Sequence, residues 1–481
     1  MAYTAADKQG NIRTGKYKFL VLLLLLISKV WLASAQTDSL VLSYQEYVDN
    51  IVAFHPVAQK ARLKAQYAEA GMMGAKGSRD PYIDASWSSK ELDDKLYYEK
   101  LKTKLVFPTS LGVTFSGGYE NTDGAYLNPE NKTDEYGLWN LGVEMDVLNG
   151  LLTNERKTAI RQAREYQHLY ENEQNMLLND LLFNALYSYH TWQMYYYSME
   201  ILTENISIAH TYNENTRNAY SMGEKTAMDT LESSIAYREA ISLFNKNELY
   251  LVKARQKLEN YLWYNGQALK LQPGVKPESY DAFYTNEWAE FDSVLINNHP
   301  LILTSINKLS LTEIEQRLKR EKLKPKLKIK YDALLTTSDD IRIHGFDMSD
   351  YKLGVGFSMP LFLRSERAGV RKGKLKIQEL ELDIMYKKNE LYNKAEASRQ
   401  QQNILKDQIE IYEQNAVNYE RLLEGENEKF RYGESSVFLL NKRQEKYIDG
   451  KLKLTEAYVK YRLELLRYLY LSNQLVTNQA E

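Results

Sequence analysis

After Pro360 no further proline occurs up to Glu481, and a second proline-free stretch runs from Asn131 to Gln272. Proline removes a backbone donor and breaks helices, so two such stretches leave room for helices longer than any compact domain needs. Both are entered by the same device. In the later one, Leu353, Val355, Phe357 and Met359 alternate with Lys352, Gly354, Gly356 and Ser358. Period two is a strand with one apolar face, and Pro360 closes it. From Ser365 charged residues recur with helical spacing, so a two-faced strand feeds directly into a very long helix.

The earlier copy is Trp139 to Arg156. Trp139, Leu141, Val143, Met145 and Val147 alternate with Asn140, Gly142, Glu144 and Asp146, and Glu155-Arg156 matches Glu366-Arg367. Gly223 lies 67 residues beyond Arg156, and Gly433 lies 66 beyond Arg367. Pro56 and Pro81 are 25 apart, as are Pro300 and Pro325, with His55 and His299 each preceding the first of the pair. These landmarks predict an internally duplicated chain with a period of roughly 210 to 245 residues, too long for a solenoid repeat.

The near-balance of charge, formally -2, gives no electrostatic case for nucleic acid. The absence of cysteine excludes disulfides and thiolate metal sites. Lys8, Arg13, Lys16 and Lys18 precede the apolar run Phe19 to Ile27, and Ala33-Ser34-Ala35 follows. This is the form of a secretory signal peptide cleaved after Ala35. No later run of eighteen apolar residues occurs, so entry into a bilayer requires a β-barrel, which pairs its backbone polar groups between strands.

The chain then divides into a first repeat (36–270), an irregular connector (271–299) and a second repeat (300–481). Each repeat is expected to hold a helix, two strands and a helical hairpin. The strands are expected at about 82–88 and 138–147, then at 326–334 and 351–360. In the third, Lys326, Lys328, Lys330 and Asp332 alternate with Leu327, Ile329, Tyr331 and Ala333. A lysine-rich face backed by a continuous apolar face suits a wall between water and lipid. Lys326, Lys328, Lys330 and Asp332 are therefore expected to face a lumen. Leu327, Ile329, Val355 and Phe357 are expected to face lipid, with Phe357 near mid-bilayer. Residues 89–137 carry an alternation of their own, LKTKLVFPTSLGVTFSGGYEN, which an extra hairpin could explain. Crossings in each repeat must be even, and two per repeat is the expectation.

Leu178, Leu181, Leu182, Ala185, Leu186 and Tyr189 form the stripe of a helix buried on one face, and Leu454, Tyr458, Tyr461, Leu465, Tyr468 and Leu469 form a similar one. Helices of about 65 residues reach roughly 100 Å and pack as coiled coils. Their polar turns fall at Gly223 and Gly433, each after an aromatic residue and before Thr or Ser.

These residues resemble the TolC-type outer-membrane efflux proteins over essentially the whole chain after the leader. The resemblance is carried by the doubled joint (GVGFSMPLF then SERAGVRKGKL; GVEMDVLNGLL then NERKTAI), the doubled proline before a strand (DPYIDASW; KPKLKIKY) and the glycine turns. It implies a mainly helical protomer, three of which each give four strands to one 12-stranded transmembrane barrel. It also implies a coiled-coil tunnel in the periplasm that docks on an adaptor and an inner-membrane pump. The family's tip pattern, Gly followed six residues on by Asp-Val, is met by Gly223 and Asp229, with Thr230 in place of Val. In the second copy Gly433 is matched but Leu439 replaces Asp, and the first joint has Val147-Leu148-Asn149 in place of Pro-Leu-Phe. The turns at Gly223 and Gly433 are expected to form the adaptor-facing gate at the far periplasmic end. There three copies of Asp229 would ring a narrow opening that attracts cations. The other reading of Asp229 is a cap on the first turn of the return helix.

Enzyme signatures are missing. The six histidines include no i, i+4 pair and no H-E-x-x-H, and no nucleophile elbow or phosphate-binding loop occurs. No cofactor is implied. The expected function is a passive outer-membrane exit duct of a tripartite efflux or secretion system. The alternatives are a secreted structural or adhesive coiled-coil protein and a general porin, which the long helices oppose.

Overall fold

The computed structural model of the chain describes residues 41–279, 293–336 and 349–477. The expected leader, 1–35, lies outside the described residues, as does part of the connector. Helix α1 spans Tyr44–Phe54, with Ser43 Oγ accepting the Glu46 amide at 3.1 Å. Helix α2, Pro56–Gly77, begins on His55, whose Nδ1 accepts the Val57 amide at 3.2 Å. Proline suits the first helical position, where no amide is needed. The histidine takes the place of the usual serine or aspartate cap.

Four strands follow: β1 (Tyr82–Leu92), β2 (Lys95–Pro108), β3 (Val113–Asp123) and β4 (Leu138–Asp146). The chain then enters helix α3, Glu155–Ser221, whose 67 residues extend about 100 Å. Asn154 fastens this joint. Its Oδ1 caps the Lys157 amide at 2.8 Å, and its Nδ2 donates to the carbonyls of Ser110 and Gly150. Helix α4, Ala227–Glu259, returns along α3.

After the connector the sequence of elements recurs. Helix α5, Pro300–Glu321, starts on His299, whose backbone angles (φ −66, ψ 131) match those of His55 (φ −66, ψ 133) and whose Nδ1 accepts the Leu301 amide at 3.1 Å. Strands β5 (Lys326–Thr336) and β6 (Tyr351–Ser358) lead into helix α6, Arg364–Arg431, and α7, Val437–Leu471, returns along it. Leu363, left-handed at φ 50, turns the chain at this second joint.

The main core lies where α1, α3, α4 and α7 meet. Tyr47, Leu182, Leu186, Tyr189, Trp192, Leu258 and Leu466 pack there, and Leu181, Ala185 and Tyr189 of the expected stripe are buried with them. A smaller cluster of Leu202, Leu423, Leu440, Tyr447 and Ile448 continues toward the turns. No helix among the described residues is long and apolar enough to cross a membrane.

The strands form one antiparallel sheet ordered β6-β5-β4-β3-β2-β1. The first segment thus contributes four strands and the second two, which corrects the expected two per repeat and four per chain. Parity is kept. The additional strands are β2 and β3, and the turn that joins β1 to β2 rests on Asp93 and Asp94, at φ 53 and φ 55. Two consecutive left-handed residues make the type I′ turn that suits a two-residue hairpin loop, and aspartate tolerates it.

Candidate functional site

The strand register sorts side chains across the whole sheet. Val355 stands opposite Ile329, which stands opposite Met145, and Met145 opposite Val113. One step along, Leu353, Tyr331, Val143, Phe115 and Phe107 form a second apolar row. The alternate residues form rows of the opposite character, such as Lys352, Asp332, Gly142 and Ser116. Opposite partners share a face, so one face of the sheet is predominantly apolar, with Thr103 and Asn121 among the exceptions. The other is predominantly polar, with Val106, Leu138 and Leu334 among the exceptions.

The apolar face is the open one. Ile83, Trp87, Leu141, Leu353, Val355 and Phe357 are 56 to 71% exposed. On the polar face Asp332, Asn140 and Thr122 are buried. That inverts the rule for a sheet in water, where the apolar face is covered.

The polar face is also the concave one. Lys352 of β6 reaches Glu120 of β3 at 3.4 Å across the two intervening strands β4 and β5. Flat strands that far apart lie about 14 Å from each other, so the side chains meet because the sheet curls toward them. Small residues make the curl possible. A Cβ on Gly142 would stand 2.2 Å from Asp332 Oδ1 and 2.6 Å from Ser116 Oγ. Ion pairs lace this face: Lys328 to Glu144 at 2.7 Å, Lys330 to Asp332 at 2.8 Å, and Lys102 to the same Glu120 at 3.5 Å.

At the far end of the helices two turns share one geometry. Gly223 (φ 82) and Gly433 (φ 76) follow α3 and α6. The Glu224 amide donates to the Ala219 carbonyl at 2.9 Å, and the Glu434 amide to the Lys429 carbonyl at 2.9 Å. This six-to-one bond closes a helix end on a left-handed glycine. The turns are neighbours. The Lys225 ammonium sits 4.5 Å from the centre of the Phe430 ring, and Tyr212 Oη donates to Asn427 Oδ1 at 2.5 Å. Asp229 completes a capping box with Thr226, and the two hydrogen bonds from Thr226 hold its carboxyl below the usual range. Ser436 caps the Leu439 amide at 3.2 Å, but Leu439 has no group to return the bond.

No protein-family model matches the chain, and no curated protein matches it. Solved structures do. The Campylobacter jejuni CmeC outer membrane channel aligns with a TM-score of 0.67 at 14% identity, covering 89% of this chain and 85% of that one. The Neisseria gonorrhoeae MtrE outer membrane channel, in its open state, aligns with a TM-score of 0.64 at 13% identity, covering 89% and 88%. The outer membrane protein VceC of Vibrio cholerae gives 0.64 at 11% identity, covering 89% and 95%. The chain has the outer-membrane channel fold.

Within that fold the expected residues sort as follows. Lys326, Lys328, Lys330 and Asp332 share the concave polar face. Leu327, Ile329, Val355 and Phe357 share the apolar one, where Leu327 and Ile329 are half-buried by their strand neighbours. Phe357 stands one residue from the end of β6, not at mid-strand; Val355 is nearest the middle of β6. Leu353 pairs with Tyr331 at the middle of β5, and Leu141 adjoins Gly142 at the middle of β4. Gly223, Asp229 and Gly433 lie together at the opposite end of the chain's long axis. Sequence reading missed Glu120 and the lysines of β2, because both fall in the stretch whose strands were left unplaced. Their signal was present: Lys100, Lys102 and Lys104 alternate with Leu101, Thr103 and Leu105. Among the described residues no group of three or more His, Asp or Glu is placed to hold a metal.

Proposed function

We propose that the chain is an outer-membrane exit duct, a passive conduit for cargo delivered by an inner-membrane pump through a periplasmic adaptor. The observation that carries this reading is the inside-out sheet, apolar on its exposed convex face and charged on its concave one, joined to helices about 100 Å long. Strands β1 to β5, of 9 to 14 residues, are long enough for tilted crossings of a bilayer, and β6, of 8, is one residue short of that length. On this reading the apolar face meets lipid, the charged face lines the lumen, and the helices reach into the periplasm.

One copy cannot close a barrel, because β1 and β6 each leave an edge unpaired. Three copies joined edge to edge give eighteen strands, an even number within the range of such barrels, in place of the twelve that the resemblance implies. The helices support self-assembly as well. Met228, Ile235 and Leu249 on α4, and the pairs Leu375/Leu382 and Ile404/Ile411 on α6, are exposed apolar residues spaced by seven or fourteen. Such seams are covered by a neighbouring helix, here one from another copy of the chain. The matching landmarks and His-Pro helix starts support a duplicated ancestor. The paired turns are the surface offered to the adaptor.

Fractionation of cells followed by planar-bilayer recording tests the reading. Outer-membrane recovery, a trimer on native gels and discrete conductance steps are expected. Recovery only as soluble protein would overturn it and favour the secreted coiled-coil alternative. Co-purification identifies the adaptor and pump.

A further inference from the structure

We propose that the β1–β2 hairpin makes the barrel lumen selective for anions, so that the duct favours negatively charged cargo. The inference rests on the duct reading and assigns it a substrate class. It follows from a charge tally of the concave face, read off the strand register.

Strands β3 to β6 are balanced. Three lysines, Lys328, Lys330 and Lys352, pair with Glu144, Asp332 and Glu120 at 2.7, 2.8 and 3.4 Å. Lys326 and Asp146 complete the set, giving four charges of each sign. The hairpin is not balanced. Up to the irregularity at Lys90/Glu91, its concave face carries Lys90, Lys100, Lys102 and Lys104 against Asp84 alone. Lys102 has only a share in Glu120, which Lys352 already engages. Among the described residues Lys100 and Lys104 close no ion pair with a carboxylate, and the Lys100 ammonium rests 4.7 Å from the centre of the Tyr98 ring.

Among the described residues the hairpin therefore supplies the surplus of this face, three positive charges per copy. Alternate residues on a strand lie about 7 Å apart. That is below the Debye length of about 10 Å at 0.1 M salt, so the three lysines of β2 act as one charged strip. A surplus of one sign inside a low-dielectric wall concentrates the opposite ion and excludes its own. Asp84 partners Lys104 in the register, so within the hairpin it is the acid placed to weaken the strip.

The test uses the full chain in planar bilayers with a potassium chloride gradient, chloride and potassium being the probes. The reversal potential is expected to report chloride over potassium by about twofold or more at 0.1 M salt, with the preference shrinking as salt rises. A K100Q/K102Q/K104Q variant is expected to lose the preference while keeping its trimer and conductance steps. Asp84→Asn is expected to raise the preference, a change in the opposite direction that misfolding cannot produce. Conductance with a potassium preference, or a reversal potential unmoved by the triple substitution, overturns the inference and leaves the duct reading intact. Absence of any conductance overturns both.

Discussion

Asp229 folds back onto Thr226. Its Oδ2 accepts the Thr226 amide at 2.9 Å and the Thr226 hydroxyl at 2.8 Å, while its own amide donates to Thr226 Oγ1 at 3.2 Å. The box satisfies donors that the first turn of α4 would otherwise leave without a partner. It accounts for an acid at this position without any role in an opening. Asp229→Ala should therefore lower stability by about 0.5 to 2 kcal/mol. The carboxyl is held below its usual value, so its contribution is present above the unfolded-state value of 3.8 and fades as pH falls through the folded one. Thermal melts of the helical signal at neutral and acid pH measure both effects. A variant that melts like the native protein but changes single-channel conductance would assign Asp229 to the opening instead.

The glycines of the two turns permit a sharper comparison. A Cβ at Gly223 or Gly433 would meet nothing within 4 Å, yet both residues are left-handed. Alanine at either position therefore costs backbone strain alone, about 1 to 2 kcal/mol. Asparagine, which tolerates this conformation better, should cost less than alanine. Melting points of the four single variants check the order. Equal losses for Asn and Ala would indicate that something other than backbone conformation holds the turns.

How far the sequence foretold this molecule depends on how local the signal was. Period two located β4, β5 and β6, because alternation is written in consecutive residues. The alternation in 89–137 raises an extra hairpin without placing β2 and β3, since the Asp93-Asp94 turn that leads into them lacks the Asn-Gly or Asp-Gly that marks such loops most plainly. The stripe on α3 was legible, with Leu182 and Leu186 buried. That on α7 was displaced. Thr455, Val459, Arg462, Leu466 and Leu469 are the buried seam, while Leu454, Tyr458, Tyr461 and Leu465 are only half-buried. Tyrosines flanking a seam bury their rings and leave the hydroxyl near water, so they mimic core positions. Contacts such as Glu120 to Lys352 depend on curl, which no sequence period encodes.

Two buried histidines predict an acid limit to stability. His190, against Gln193 Oε1 at 3.0 Å, and His299, the cap of α5, are both pushed down to about 4 by burial. Unfolded histidine binds a proton near 6.5. Between those values the unfolded chain holds more protons, so stability falls as pH drops from 6.5 to about 4 and levels off below. Each residue accounts for a loss on the order of 3 kcal/mol over that window. Unfolding free energies measured by denaturant across it should fall with decreasing pH, with a slope reduced by about one proton in His190→Leu. The same slope in wild type and variant would refute the assignment to His190.

The exposed sheet face gives the most direct prediction. Leu353 pairs with Tyr331 at the middle of β5, and Leu141 adjoins Gly142 at the middle of β4. Phe357 lies one residue from the end of β6, and Lys328 is on the opposite face paired with Glu144. If lipid covers the apolar face, lysine at Leu353 should cost about 2 to 4 kcal/mol, and lysine at Phe357 about 1 kcal/mol or less. Replacing Lys328 by glutamine should cost little, because its pair with Glu144 is solvent-exposed. The chain has no cysteine, so single cysteines can be introduced without background. An aqueous thiol reagent applied to intact membranes should label a cysteine at Lys328 rapidly and one at Leu353 hardly at all. Equal labelling at the two positions would mean that water reaches both faces, and the sheet would then not be a membrane wall.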